Sequence, residues 1–222
     1  MHYYNLMNNE EKIEKLYNGK YIGGIFNNQR EGKGTMYFNN GNKYEGEFKK
    51  DKIEGKGIFN WNDGSEYTGD KYQGEYKNNR REGKGIYYYK NGDKYEGDWK
   101  NGYKEGKGKY FYRNGNRYEG DFKNDNFEGK GIFYFNDGNK YEGEFKNGYF
   151  DGKGIYDYNN GDKYEGEWKN DKKEGKGIYY FKNGDRKMGN YLKGRAIGVH
   201  AKLTNNGEVT KLNYSKPYHN HN

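Results

Sequence analysis

Rings or glycines alternate with charged residues along most of this chain, and the alternation breaks at regular places. In Tyr118-Glu119-Gly120-Asp121-Phe122-Lys123 the period is two, the signature of a β-strand with two unlike faces. A polar turn over Asn124 to Phe127 follows, and Gly129-Lys130-Gly131-Ile132-Phe133-Tyr134-Phe135 reads as a second strand. Asp137-Gly138 closes the unit, and the pattern restarts at Tyr141. Units begin at Tyr21, Tyr44, Tyr72, Tyr95, Tyr118, Tyr141, Tyr164 and Lys187, 23 residues apart except for a step of 28 between Tyr44 and Tyr72. Five extra residues near 65–71 account for the longer step. Eight units thus occupy 21–209, preceded by residues 1–20 and followed by a polar tail, 210–222.

An Asn-Gly or Asp-Gly pair recurs at one place in every unit, from Asn40-Gly41 through Asp63-Gly64, Asn114-Gly115 and Asp137-Gly138 to Asn206-Gly207. Such a pair suits a type I′ hairpin turn, whose two central residues need positive φ. Within the first strand, the initial Tyr, the Gly and the next ring share one face, and the acids and Lys share the other. Glycine weakens a strand unless something needs the space. Its regularity here predicts rings lying flat on bare glycine backbone. The expected fold is all-β: an elongated, twisted, single antiparallel sheet of about eight stacked hairpins. At about 4.8 Å per strand and about −20 to −25° of twist, sixteen strands would give a ribbon of roughly 75 Å with a curved groove.

The ends read differently. Asn9 is placed to cap a short helix over Glu10 to Tyr17, with Ile13, Leu16 and Tyr17 on one face and Asn18-Gly19 at its end. So short a helix is marginal unless it packs on something. In the last unit Met188, Leu192, Val199, Ala201 and Leu203 stand on the face that carries charges elsewhere. An apolar patch of that kind needs a cover. The expected cover is residues 210–218, a partner, or a second copy in a homodimer through the C-terminal end.

Composition changes this picture little. Apolar residues make up only 30% of the chain, which suits a thin repeat structure without a thick core. Cysteine is absent, so disulfide and thiol chemistry are excluded. Met1-His2-Tyr3-Tyr4-Asn5 has neither the basic nor the apolar region of a signal peptide, and no apolar run reaches transmembrane length. The expected location is the cytoplasm, with the cytoskeleton, a cilium or the inner face of a membrane as narrower alternatives.

Charge is unevenly placed. Residues 72–117 hold twelve Lys and Arg against six acids, whereas 118–163 hold six against ten. Arg80, Arg81, Lys84, Lys104, Lys107, Lys109 and Arg113 form a candidate basic patch for an anionic membrane surface or an acidic protein. Nucleic acid is not expected, because acids are mixed with the bases.

The unit Tyr-x-Gly-x-(Trp/Phe)-x₆-Gly-x-Gly-x-Tyr-x₄-Gly, as in Tyr164-Glu165-Gly166-Glu167-Trp168 followed by Gly175, Gly177, Tyr179 and Gly184, resembles the MORN repeat (membrane occupation and recognition nexus). The resemblance covers residues 21–209. It implies stacked β-hairpins and a non-catalytic role as a docking or scaffold module, as in junctophilins, radial-spoke heads, protist cytoskeletal proteins and certain myosin adaptors. The family name implies phospholipid binding. Lipid kinases and a SET-domain methyltransferase carry the repeat beside a catalytic domain, and no such segment remains here outside the repeats. Departures fall at the ends, where Lys187 replaces the first Tyr, His200 replaces a Gly and Ile25 replaces a ring.

Candidate chemistry is sparse. Glu82-Gly83-Lys84-Gly85 and its copies lack the spacing and the Lys-Ser/Thr end of a phosphate loop. His2, His200, His219 and His221 lack ligand spacing, and Ser65 and Ser215 stand in no nucleophile setting. No catalytic residue, cofactor or metal site is expected. The expected partner is a protein offering an extended or helical segment. The expected contact surface is the rings Tyr72, Tyr76, Tyr95, Trp99, Tyr118, Phe122, Tyr141, Phe145, Tyr164 and Trp168.

Overall fold

The computed structural model describes residues 18–215 and the backbone of 12–16. The described residues form eighteen β-strands and no helix. They divide into two units at Gly106/Lys107.

The first unit holds β1 (Lys12–Leu16), β2 (Gly19–Phe26), β3 (Gln29–Phe38), β4 (Lys43–Lys49), β5 (Lys52–Asn60), β6 (Lys71–Lys77), β7 (Arg80–Tyr88) and β8 (Lys94–Lys100). The boundary falls inside β9 (Tyr103–Phe111). The second unit continues with β10 (Arg117–Lys123), β11 (Asn126–Tyr134), β12 (Lys140–Lys146), β13 (Tyr149–Asp157), β14 (Lys163–Lys169), β15 (Lys172–Tyr180), β16 (Arg186–Leu192), β17 (Arg195–Leu203) and β18 (Val209–Tyr214). From β1 to β8, and again from β10 to β18, each strand pairs antiparallel with the next. The sheet of each unit is open, since no pairing closes it among the described residues.

The glycines explain how one layer acquires a core. Tyr118 is fully buried and lies against Gly120 and Gly131. A Cβ on Gly131 would sit 2.5 Å from that ring, so only glycine leaves room for it. The Tyr118 hydroxyl donates to the Asp121 carbonyl at 2.8 Å, beside the β-bulge between Gly120 and Phe122. The same Tyr-to-carbonyl bond, three residues on, recurs from Tyr21, Tyr44, Tyr72, Tyr95, Tyr141 and Tyr164. Without it the buried hydroxyl would lose its water partners uncompensated, offsetting part of what the ring gains. Each Tyr also meets the next ring edge-on: Tyr118 to Phe122 at 5.2 Å and to Phe145 of the following hairpin at 4.9 Å. Pairs of this kind are worth about 0.5–1.5 kcal/mol each beyond area burial.

Three expectations are corrected. The segment predicted as a helix is strand β1 where it is described, in register with β2 from Lys12↔Gly23 to Leu16↔Gly19. Asn9, Glu10, Glu11 and Tyr17 of that prediction lie outside the described residues. An isolated turn or two of helix satisfies little, whereas the open edge of β2 offers a full row of backbone partners.

The recurring Asn-Gly and Asp-Gly pairs that close each unit are not type I′ turns. Gly115 has φ 91°, but Asn114 is not in the positive region. The Gly115 amide donates to the Tyr112 carbonyl and the Tyr112 amide to that of Asn116, a turn ending in one left-handed glycine. The paired positive φ values lie at the other end of the hairpins, at Asn124 (47°) and Asp125 (68°), Lys50 and Asp51, and Asn170 and Asp171, and with a glycine second at Asn101-Gly102, Asn147-Gly148 and Lys193-Gly194. Asn and Asp tolerate that region better than other residues with a Cβ. A glutamate from the preceding hairpin holds several of these turns. Glu128 accepts from the Asn147 amide at 3.0 Å, as Glu82 does from Asn101 and Glu174 from Lys193. The Glu-Gly-Lys-Gly glutamates Glu31, Glu54, Glu82, Glu128 and Glu174 are thus clamps between repeats.

The tail is not wholly a tail. Val209–Tyr214 is strand β18, in register with β17 from Gly198↔Tyr214 to Leu203↔Val209. Pro217 and the residues beyond 215 lie outside the described part.

Candidate functional site

The ten rings predicted to contact a partner are the core. They are 0–7% exposed, each packed on neighbouring rings and glycine backbone. A partner touches none of them without unpacking the repeat. The residues that do open to solvent on a shaped surface lie on the opposite side of the sheet.

Strand alternation puts Lys130 and Ile132 on the side away from Tyr118, because Gly131 between them faces the ring. In the second unit this side forms a groove of about 800 Å³. Part-exposed Ile132, Ile155 and Ile178 line it, together with the glycine backbone of the same strands. Registers set the pattern: Ile132 stands opposite Glu119 and Glu142, Ile155 opposite Glu142 and Glu165, and Lys130 opposite Glu144. Apolar knobs therefore recur every second strand, about 9.6 Å apart at about 4.8 Å per strand. Four lysines and five glutamates line the groove, so its charge is mixed and nearly balanced. Glu144 and Glu167 are part of the frame, accepting from the Lys153 and Lys176 amides at 3.4 and 3.1 Å. Sequence reasoning missed the isoleucines, although their place between a glycine and a ring put them on the lysine side.

Beside the groove runs a row of cations over rings. Arg117 lies 4.2 Å from the Tyr134 ring and Lys163 4.4 Å from Tyr180. Lys140 bonds Asp157 at 3.1 Å and Glu142 at 3.3 Å, and these carboxylates raise its ammonium above the ordinary lysine range.

The seven residues of the predicted basic patch do not gather on one side. In the first unit Arg81 is on the ring side, 4.3 Å from Trp99, and donates to the Gly102 carbonyl at 2.6 Å. Lys104 also lies against rings, Tyr89 and Tyr95, at 5.5 and 5.6 Å. Lys84 is on the other side, paired with Asp98 at 2.5 Å. In the second unit Lys107 pairs with Asp121 at 2.6 Å and Lys109 with Glu119 at 3.4 Å. Arg80 and Arg113 are exposed. Alternation splits cations that lie close in sequence, and cross-strand acids neutralise those on the acidic side.

At the C-terminal end Val199 is 54% and Met188 37% exposed, while Leu192, Ala201 and Leu203 are part-exposed. Residues 209–214 extend the sheet at its edge and so do not lie over this face. What they do cover is the end of the ring core. Tyr214 packs on His200 with centroids 4.8 Å apart, and His200 on Tyr191 at 5.2 Å. His200 is fully buried, and its Nε2 meets the Asn190 carbonyl at 2.9 Å.

Among the described residues no His, Asp and Glu cluster is arranged to hold a metal, and no helix is long and apolar enough to cross a membrane.

This is a repeat protein built of single-layer β-hairpins with a ring core on one side and a charged groove on the other. The MORN repeat model matches at 21–43, 44–66, 72–94, 95–117, 118–140, 141–163 and 164–186, and the chain belongs to that family. The hairpin of β16 and β17 lies beyond the last match. Among solved structures, the chain is similar to the TCP domain of Drosophila melanogaster SAS-4 (dCPAP), solved with a proline-rich motif of Ana2 (dSTIL). Identity is 14%, the match covers 82% of this chain and 90% of that one, and the TM-score is 0.46. It is also similar to the G-box domain of the microcephaly protein CPAP, at 10% identity over 93% of this chain and 100% of that one, with a TM-score of 0.44. A comparison with curated proteins finds no match.

Proposed function

We propose that the chain is a non-catalytic binding scaffold that holds an amphipathic segment of a protein partner in the groove of the second unit. The observation that carries this reading is the groove's lining: Ile132, Ile155 and Ile178 in line, flanked by lysines and glutamates in nearly equal number. Apolar side chains of the segment, about 10 Å apart, meet the three isoleucines. That spacing is offered by every seventh residue of a helix or every third residue of a polyproline II segment, whose three residues per turn bring each third side chain to the same face. The mixed charges select a segment bearing both signs and set its register.

An anionic lipid surface is the weaker reading. Five glutamates among the lining residues repel phosphate, and Lys84, Lys107 and Lys109 of the basic patch already face acids.

A photocrosslinking residue at Ile155, compared with one at Phe133 on the ring side, tests the reading in extract of the native cell. The expected result is a discrete protein adduct at 155 that is lost with Ile132→Lys and Ile178→Lys. Adducts at 133 alone, or binding to phosphatidylserine vesicles that salt releases, would overturn it.

A further inference from the structure

Acids leave the strands after the seventh repeat. Strands β14 and β15 carry Glu165, Glu167 and Glu174, and the residues 23 further on are Met188, Asn190 and Ile197. Strands β16, β17 and β18 contain no Asp or Glu, although they keep cations. An ion pair recurs at the start of the inner hairpins: Lys94 with Glu96, Arg117 with Glu119, Lys140 with Glu142 and Lys163 with Glu165. In the eighth hairpin the cation is Arg186 and the acid has become Met188. A cross-strand pair is halved in the same way. Lys84 and Lys107 bond Asp98 and Asp121, whereas Lys176 stands opposite Asn190. Neither Arg186 nor Lys176 has a carboxylate partner among the described residues. Arg186, Arg195 and Lys211 are exposed and stand opposite Leu203, Leu192 and Ala201, on the side of Met188 and Val199. From Arg186 to the Leu192–Arg195 pair is roughly 20 Å at about 3.3 Å per residue. Of the nearby turn acids, Asp185 is taken by Lys202 at 2.9 Å, and Glu208 precedes β18.

We propose that this side of β16, β17 and β18 is a docking surface for an acidic amphipathic segment of a partner protein. Apolar side chains of the segment sit on Met188, Val199 and Ala201, and its carboxylates pair with Arg186, Arg195 and Lys211. Charge complementarity names the occupant: two ion pairs kept in the inner hairpins have lost their acids here, and a bound carboxylate restores them. About 13 residues of helix span the distance between the two arginines. Other occupants fail on charge. A second copy brings the same cations, so a two-fold contact through this face sets like charges together. Residues 216–222 hold a lysine and no Asp or Glu. A bilayer broad enough to reach Met188 also meets the groove, which adjoins across the Ile178↔Met188 pair and holds five glutamates. A narrow segment avoids them. The surface goes beyond the groove reading, because it selects one sign of charge where the groove selects both.

The test is selection of peptides of about 14 residues, long enough to span the face as a helix, from a random displayed library on the full-length chain. Enriched peptides are then titrated by fluorescence anisotropy. They are expected to carry Asp or Glu at both ends of an apolar stretch, and to bind the Arg186→Glu/Arg195→Glu variant at least about 10-fold more weakly. Val199→Lys should weaken them likewise, and Ile132→Lys in the groove should leave them unchanged. The same peptides with Lys in place of each acid should bind the Arg186→Glu/Arg195→Glu variant better than the wild type, which separates a changed surface from a lost fold. Raising salt from roughly 0.05 to 0.5 M should weaken the wild-type complex about 10-fold. No enrichment, enrichment of basic or uncharged peptides, or binding indifferent to Arg186→Glu/Arg195→Glu would each overturn the proposal. So would phosphatidylserine vesicles that the wild type pellets with and that variant does not, or self-association of the wild type that the variant abolishes.

Discussion

The seventh and eighth hairpins solve one problem in two ways. In the seventh, Tyr164 of the first strand lies against Gly166 and Gly177, and a Cβ on Gly177 would approach its ring to 2.2–2.6 Å. In the eighth, the tyrosine position is Lys187 and the second glycine position is His200. The slot over Gly189 is filled from the opposite strand instead, since a Cβ there would meet the His200 ring at 2.2 Å. Even the hydrogen bond is kept: Tyr164 donates to the carbonyl three residues on, and His200 Nε2 meets the carbonyl of Asn190, three residues beyond Lys187. What the fold requires is a flat polar-tipped ring over a bare glycine. Which strand supplies it is free, and two departures that look like decay are a matched exchange.

The largest effect should come from emptying the eighth slot. His200→Gly removes a buried ring and should cost about 3 kcal/mol. Adding Lys187→Tyr should restore most of it, a coupling that thermal unfolding of the single and double variants would measure. If the double variant is no more stable than His200→Gly, the exchange is not a compensation. Filling the seventh slot instead, Gly177→Ala drives a methyl into the Tyr164 ring and should cost about 2 kcal/mol or more by denaturant unfolding.

Lys173→Phe copies the fifth and sixth repeats into the seventh. The folded Lys173 has its pKa lowered to about 8 by burial, below the unfolded value near 10.5, so the unfolded chain binds more protons between those pH values. The penalty is fully present below pH 8 and vanishes as pH rises to about 10.5. Lys173→Phe should therefore stabilise by about 1 kcal/mol at pH 7, allowing for solvent screening at a part-exposed group, and by less at pH 10. A constant difference across that range would exclude the charge as its source.

The smallest effects separate paired from unpaired hydroxyls. Tyr118→Phe loses the 2.8 Å bond to Asp121 and should cost about 1 kcal/mol. Tyr76 and Tyr191 bury hydroxyls without partners, so Tyr76→Phe and Tyr191→Phe should be neutral or stabilising by a few tenths of a kcal/mol. Equal losses at Tyr118 and Tyr76 would mean that the ring edges, not the hydroxyl bond, set the stability.

Period-two alternation with glycine opposite ring was enough to derive the hairpins, the family and the ring-bearing side, because strand geometry leaves side chains only two directions. The recurring Asn-Gly marked a turn correctly by place but not by type, since the paired positive φ lies at the other turn, with glycine at Asn101-Gly102 and Asn147-Gly148 and without it at Asn124-Asp125 and Lys50-Asp51. Residues 12–16 and 209–214 joined the sheet because an unpaired edge offers backbone bonds that no local propensity records. Exposure is likewise a tertiary outcome. Alternation places Phe145 and Ile155 on opposite faces, but only packing decides that neighbouring rings bury Phe145 to 3% exposure while Ile155 stays on an open groove floor. The reason is size: rings reach across two strands and roof the glycines, whereas isoleucine and the solvated charges beside it stand apart and leave the space between them open.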